Sequence, residues 1–393
     1  MHRPRSTRED VSLTGLLPLE ALEVCSGMVF GRRRAPATRA DAPSDGSGPR
    51  KVLEELLLPA LERSPCLVAF SGGRDSSALL ALASRLARNH GLDDPVPVTL
   101  RFAQHPRTDE TDWQETTVRH LRLDRWEVLS LTTELEVLGP IAGPAVRRHG
   151  LYWPPNAHTL VPLLRAARGG VLVTGNGGDE VFSPWIWRRA PISRIVRAHP
   201  RRAVRYATFA LLPASLQVRL WCRRTLGLPW LRPAARQEVY RLYLAKYRRR
   251  SPTWGDALEN LLDTRHFELT QGIFAALAEE ADAGLSQPFF DPRFLRAVAQ
   301  AAPRGFPTRS AAMEAHFGDL LPQRVVERST KARFTDVLWG PDSRAFAERW
   351  DGTGLDPALV DPNALRLEWS KPRPDFRSLT PLQAAWLASE SQD

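Results

Sequence analysis

The chain has 393 residues, 43% hydrophobic and 25% charged, the balance of a folded globular protein with room for about two domains or one large domain with an appendage. No apolar run reaches the roughly 18–20 residues that span a bilayer, and the basic start Met1-His2-Arg3-Pro4-Arg5 lacks the apolar stretch of a signal peptide, so a cytoplasmic enzyme is the expectation. The net charge of +10 comes almost wholly from arginine, because lysine occurs only at Lys51, Lys246, Lys331 and Lys371. With abundant alanine, leucine and proline, that skew fits a compositional bias better than a nucleic-acid partner. Arg188-Arg189, Arg201-Arg202 and Arg248-Arg249-Arg250 read as solvated helix faces.

In chain order, residues 1–32 form a short N-terminal element in which Leu13 to Phe30 carry enough leucine and valine to dock but too few for a core. Residues 33–50 are rich in Pro, Gly, Ser and Asp and read as a flexible linker. Val52–Leu61 is an amphipathic helix. Strand and helix signals then alternate: a strand over Cys66–Phe70, a glycine loop and a helix to Asn89, a strand over Val96–Phe102, and a helix over Glu110–Leu121. A strand over Trp126–Leu131, helical segments including Ala157–Arg168, and a strand over Val171–Thr174 with a second glycine loop follow. This texture predicts an α/β fold with a parallel sheet, helices on both faces, and ligands at the carboxyl ends of the strands. From Pro184 onward the strand pattern ends, and the rest reads as helical.

Cys25, Cys66 and Cys222 stand far apart with no CxxC or zinc-type spacing, so neither disulfides nor thiol chemistry is expected, and Cys66 reads as a small buried hydrophobe. Trp185, Trp187, Trp221 and Trp230 read as helix-packing core.

Three segments carry chemistry. Ser71-Gly72-Gly73-Arg74-Asp75-Ser76-Ser77 lies between a strand and a helix. Its glycines let the backbone approach phosphates, the amides and dipole at the helix start favour an anion, and the serine hydroxyls add donors. Asp75 repels phosphate directly, so its role is to hold a magnesium ion bridging the phosphates. The loop is not the GxxxxGK[ST] type that serves terminal-phosphate cleavage. Thr174-Gly175-Asn176-Gly177-Gly178-Asp179-Glu180 belongs on the same sheet edge, where Asp179 supplies a second carboxylate and Gly175 and Gly177 admit the nucleotide or acyl group. The third segment, Arg328 to Asp336, contains Lys331, a candidate cation for charge that builds on the α-phosphate and departing pyrophosphate. Asn176, Glu180 and His158 are candidates for the substrate pocket, with His158 a possible base at the head of a helix.

These segments resemble the synthetase domain of the asparagine synthetases and their relatives, including β-lactam synthetases and lasso-peptide cyclases. The resemblance runs from about residue 50 to about residue 345 through SGGRDSS, Val98–Phe102, Asp109-Glu110, TGNGGDE with Phe182, Pro288-Phe289-Phe290-Asp291, and Leu321-Pro322 leading to Arg328 and Lys331. It implies an adenine-nucleotide α-hydrolase-like (PP-loop) domain over 51–345, with a sheet core at 51–183, a helical part at 184–345 and a C-terminal extension at 346–393. It further implies ATP and Mg2+ as cofactors, Asp75 and Asp179 on magnesium, Lys331 on the phosphates, and Thr99, Leu100 and Phe102 against adenine and ribose.

The departures narrow the expectation. Residue 2 is His2 rather than the nucleophilic cysteine of a glutaminase domain, and fifty residues precede the synthetase part. Asn176 stands where asparagine synthetases usually carry glutamate, and Ser286 where an arginine usually precedes the Pro-Phe-Leu-Asp motif by two positions. The segment R-x-T-K-x-x-F-T is closer in style to lasso-peptide cyclases and other natural-product members.

The expected function is an AMP-forming ligase that adenylates a carboxylate and couples it to an amine, forming a macrolactam or amide on a peptide or natural product. A separate peptidase, carrier or glutaminase protein would be its partner. The alternatives are a divergent asparagine synthetase using free or delivered ammonia, a tRNA-modifying enzyme with the same first loop, and a non-catalytic ATP-binding protein.

Overall fold

The computed structural model describes residues 16–33, 48–182, 226–248, 253–303, 305–330, 332 and 334–391, with positions 212, 213, 216 and 220. Lys331, Cys222, Trp185, Trp187 and Trp221 lie outside the described residues, as do most of the linker and all of the arginine stretches except the backbone of Arg248.

Five parallel strands form one sheet in the order β3-β2-β1-β4-β5: β1 Cys66–Ala69, β2 Val96–Arg101, β3 Glu127–Ser130, β4 Val171–Val173 and β5 Gly284–Ser286. Leu67 pairs with Val96 on one side and Leu172 on the other. Alternate side chains of these strands enter two separate cores. Leu67, Val98 and Leu172 join one, and Cys66, Val68, Phe70, Val171 and Val173 the other. A sheet buried on both faces uses near-continuous apolar strands, which is why CLVA, VPVTL and VLV carry so little polarity.

On the second face lie α2 (Pro49–Leu61) and α3 (Arg74–Asn89); on the first lie α5 (Ala142–His149) and α6 (Val161–Ala166). The helix expected over Ala157–Arg168 is a 3-10 turn, Ala157–Leu160, running into α6. Pro162 has no N–H to give to residue 158, so regular α-helical bonding starts only at that point.

Two expectations are corrected. The strand pattern does not end at Pro184, because β5 pairs with β4 through Val173 and Ser286. A Gly-Leu-Ser strand is too short and too poor in β-branched residues to show alternation. Nor do the residues after 345 form an appendage. Trp350, Trp369, Leu382 and Trp386 belong to the same core as Leu67 and Val98, and Gln383 Nε2 donates to the buried carbonyls of Val137 (3.2 Å) and Pro155 (3.1 Å).

The N-terminal element docks on this core as well. In α1 (Ala21–Ser26), Glu23 is buried and paired with Arg265 at 3.0 Å, Cys25 is buried, and the Trp230 indole donates to the Cys25 carbonyl at 2.9 Å. Burial pushes the Cys25 thiol up to about 11 and the Cys66 thiol up to about 12, so both stay protonated and behave as hydrophobes. Among the described residues no helix is long and apolar enough to cross a membrane.

Candidate active site

In the order 3-2-1-4-5 successive strands are added outward on one side of β1 and then, from β4, on its other side, so the loops leaving β1 and β4 diverge and open a crevice at the carboxyl ends of those strands. Those loops are the two glycine segments. After β1, Ser71-Gly72-Gly73 leads into α3, whose N-cap is Gly73. Gly72 has φ +77°, and a Cβ there would sit 2.9 Å from Gln114 Cγ, so only glycine fits the turn. The loop is held from inside. Ser76 Oγ donates to the Gly73 carbonyl at 3.1 Å and accepts from the Ser71 amide at 3.3 Å.

After β4 the second segment folds into α7 (Gly178–Phe182), and a Cβ on Gly178 would lie 2.3 Å from Asp75 Cγ. The bare backbone of Gly178 is what lets the Asp75 carboxylate lie against the second loop. The two acidic residues that sequence places on separate motifs are thereby brought together.

They meet on one cation. Arg309 donates from Nη2 to Asp75 Oδ2 and from Nη1 to Asp179 Oδ1. Its side chain is 16% exposed, and it opens the helix Arg309–Phe317, which Thr308 caps by accepting from the Ala311 amide at 3.1 Å. Burial opposes the guanidinium charge, but Asp75 and Asp179 outweigh it and raise its pKa. Arg74 is pushed the other way, by burial first and then by Arg309. Two carboxylates from different loops, converging on a shared positive charge, fit a divalent cation, for which the guanidinium is a stand-in. No group of three metal-type side chains exists among the described residues, so such an ion would complete its oxygen shell from phosphates and water, as Mg2+ prefers.

Arg328 fastens the helical half to the first loop. It is 4% exposed, pairs with the buried Glu110, donates from Nη1 to the Gly72 carbonyl at 2.7 Å, and stacks 4.6 Å from the Trp113 ring. Gln114, from α4 (Thr111–Leu121), donates to the Ser71 carbonyl at 3.3 Å. The residues flanking Lys331, namely Ser329, Thr330, Ala332 and Phe334, line the same cavity as the loops.

That cavity has a volume of about 910 Å3. Ser71, Gly73, Asp75, Ser76, Gly175, Asn176 and Asp179 line its polar side, and Leu100 and Phe102 its sheet side. Leu135, Leu160, Leu163, Val337, Leu338 and Phe376 add an apolar wall, and Arg74, Arg309 and Arg328 bring positive charge to the same lining. Among the described residues, the buried hydroxyls of Thr174, in the lining, and of Ser77 have no hydrogen-bond partner.

Other expected site residues stand elsewhere. Thr99 is not in the lining: its hydroxyl donates to the Phe70 carbonyl at 2.7 Å and accepts from the Trp126 indole at 3.0 Å, tying β2 to β1. Gly72, Ser77 and Gly177 shape the loops without facing the cavity, and Glu180 points to solvent. His158 is fully buried and bonded through Nε2 to the Leu135 carbonyl at 2.9 Å. Desolvation drives its imidazole down to about 4, so it is a neutral structural group, while its neighbours Asn156 and Thr159 line the cavity. Asn176 is in the lining, with Nδ2 3.5 Å from Gln287 Oε1. Sequence reasoning missed Arg309 altogether; an arginine after a capping threonine looks like any helix start.

A protein-family model described as asparagine synthase matches residues 56–388, so the chain belongs to the asparagine synthase family. Membership implies ATP-dependent, amide-forming ligase chemistry, and the matched span includes the C-terminal helices found in the core. No curated protein matches the chain at a significant level.

Proposed function

We propose that this member of the asparagine synthase family splits ATP to AMP and pyrophosphate, activates a carboxylate as its acyl-adenylate, and couples it to an amine of a peptide or natural-product substrate, forming a macrolactam or amide. The observation that carries this reading is the convergence of both glycine loops and their carboxylates on one cavity that also has an apolar wall.

The amides at the start of α3 and the Ser71 and Ser76 hydroxyls hold the pyrophosphate end of ATP, where the helix dipole favours negative charge. Leu100 and Phe102 seat the nucleoside at the end of β2. A substrate carboxylate oxygen attacks the α-phosphorus as the bond to pyrophosphate breaks. Lys331, carried on the segment between Thr330 and Ala332, neutralises charge on the departing group. Asp75 and Asp179 would hold magnesium, which would supply further charge neutralisation for the phosphates. An amine then attacks the acyl carbon, AMP leaves with the C–O electron pair, and the amine loses a proton as the amide forms.

Asn176 presents an amide to the cavity, with Nδ2 3.5 Å from Gln287 Oε1, and Leu135, Leu160, Leu163, Val337, Leu338 and Phe376 give the same cavity an extended apolar wall that a larger acyl group would cover. ATP–pyrophosphate exchange across candidate carboxylates, with aspartate and peptides encoded beside the gene, tests the reading. Exchange driven by a peptide or natural-product acid is expected. Aspartate-driven exchange with ammonia-dependent asparagine production would overturn it.

A further inference from the structure

Between the two glycine loops, the carboxylates proposed for the metal are already engaged by one side chain. Each arm of the Arg309 fork reaches a carboxylate from a different loop, through Asp75 Oδ2 and Asp179 Oδ1. A divalent ion cannot take those two oxygens while the guanidinium donates to them. The Arg309 backbone, in contrast, is fixed. Thr308 caps the helix, and Ala312, Met313 and Phe317 of that helix are fully buried. Only the side chain has freedom to leave.

We propose that Arg309 is a charge-exchange latch: it holds the two carboxylates together in the nucleotide-free protein, bars a divalent cation arriving alone, and moves onto the polyphosphate when cation and nucleotide bind together. This rests on the reading of Asp75 and Asp179 as metal ligands.

The electrostatics set the direction. A bare divalent ion adds two positive charges beside Arg309 and Arg74, both of which line the cavity with Asp75 and Asp179. In a half-buried site that repulsion is screened far less than at the surface. The nucleotide brings at least as much negative charge as the ion brings positive. A displaced guanidinium then gains oxygens suited to its fork. Coupling of this kind is reciprocal, so nucleotide must tighten metal binding by the factor that metal tightens nucleotide binding.

The test is binding of Mn2+ followed by electron paramagnetic resonance, with and without α,β-methylene-ATP, which needs no acyl substrate and no turnover. Arg309→Gln should bind Mn2+ alone about tenfold more tightly than the wild type, and the tightening by nucleotide should shrink. If Arg309 were only structural glue, its loss would splay the carboxylates; Mn2+ binding unchanged or weakened in Arg309→Gln would overturn the latch. Arg309→Lys keeps the charge at the helix start and should exclude Mn2+ nearly as well as the wild type. Tight metal-only binding by that variant would also overturn the proposal. Asp75→Asn addresses the underlying reading separately: loss of Mn2+ binding supports the metal carboxylates, and wild-type binding removes them.

Discussion

The sheet half brings the carboxylates of one cavity, and the helical half brings the guanidiniums that pair with them. Residues 49–182 contribute Asp75, Asp179 and the buried Glu110; the residues after 300 answer with Arg309, at a helix start, and Arg328, just beyond the helix Gln323–Val326. The sheet half alone has the backbone geometry for phosphate, since both glycine loops leave neighbouring strands. Without the helical half its carboxylates would repel one another and the Gly72 carbonyl would lose its donor. The site is therefore a joint between regions far apart in the chain, and the comparison predicts different failures on its two sides.

The largest effect belongs to the sheet side. Asp75→Ala removes a carboxylate proposed to hold the cation on the reacting phosphates, and should lower substrate-dependent ATP–pyrophosphate exchange by about 100- to 1000-fold. The fold should persist, because Arg309 keeps Asp179 as a partner. Unchanged exchange with the true substrate would remove the catalytic reading of the loop.

Next comes the joint itself. Arg328→Met strands Glu110, which is 7% exposed, in a buried setting, and should cost about 3–5 kcal/mol in urea unfolding. Adding Glu110→Gln should restore much of that stability, since the desolvated charge disappears with its partner. Non-recovery would mean that Arg328 acts mainly through the Gly72 carbonyl and the Trp113 ring.

How much of this was legible beforehand follows the same division. CLVA and VLV, each bounded by a glycine loop, marked β1 and β4 because continuous apolar runs ending in glycine have few other uses. Asp75 and Asp179 stood out because carboxylates beside phosphate loops have a specific chemical task. The helical half offered no such signal. Gly284–Ser286 is too short for periodicity, and its place beside β4 is set by tertiary pairing. The helices after 345 read as an extension because the resemblance ends near that residue, whereas Trp350, Trp369 and Trp386 gather in space on the first core. Arg309 was hidden among many arginines, and Arg328, though part of the third segment, had no assigned partner; only the fold shows which carboxylates they meet. His158 misled in the opposite sense, because a histidine near a cleft looks like a base until its burial is known.

That burial gives a third, pH-dependent prediction. His158 has its imidazole held down at about 4 by desolvation, against 6.5 when unperturbed. Between those values the unfolded chain binds a proton that the native chain does not, so this residue's contribution is complete above pH 6.5 and is lost as pH falls towards 4. The slope is about 1.4 kcal/mol per pH unit. His158→Gln should flatten the wild-type stability curve by that amount across the window in denaturant titrations at stepped pH. It should leave the acid limb of the activity profile in place, because His158 bonds to the Leu135 carbonyl and does not face the cavity. A shift of that limb would return His158 to the chemistry.

The smallest effect sharpens the distinction within the sheet half, between residues that serve the nucleotide and residues that serve the sheet. Thr99 sits on the strand whose end, at Leu100 and Phe102, lines the cavity, yet its own hydroxyl is consumed by the Phe70 carbonyl and the Trp126 indole. Thr99→Val preserves shape and removes the hydroxyl, leaving a buried carbonyl and an indole N–H short of one partner each. The cost should be about 1–3 kcal/mol, read as a lower urea midpoint with unchanged slope. KM for ATP should stay at the wild-type value, because no atom facing the cavity changes. A raised KM at unchanged stability would mean that Thr99 reaches the nucleotide after all. Phe102→Ala provides the contrast: it shortens a cavity wall that packs edge-on against Phe334, 6.3 Å between ring centroids, so there KM must rise. Two positions three residues apart, one in β2 and one just beyond its end, thus separate along stability and affinity, and the separation turns on which side chain faces the crevice.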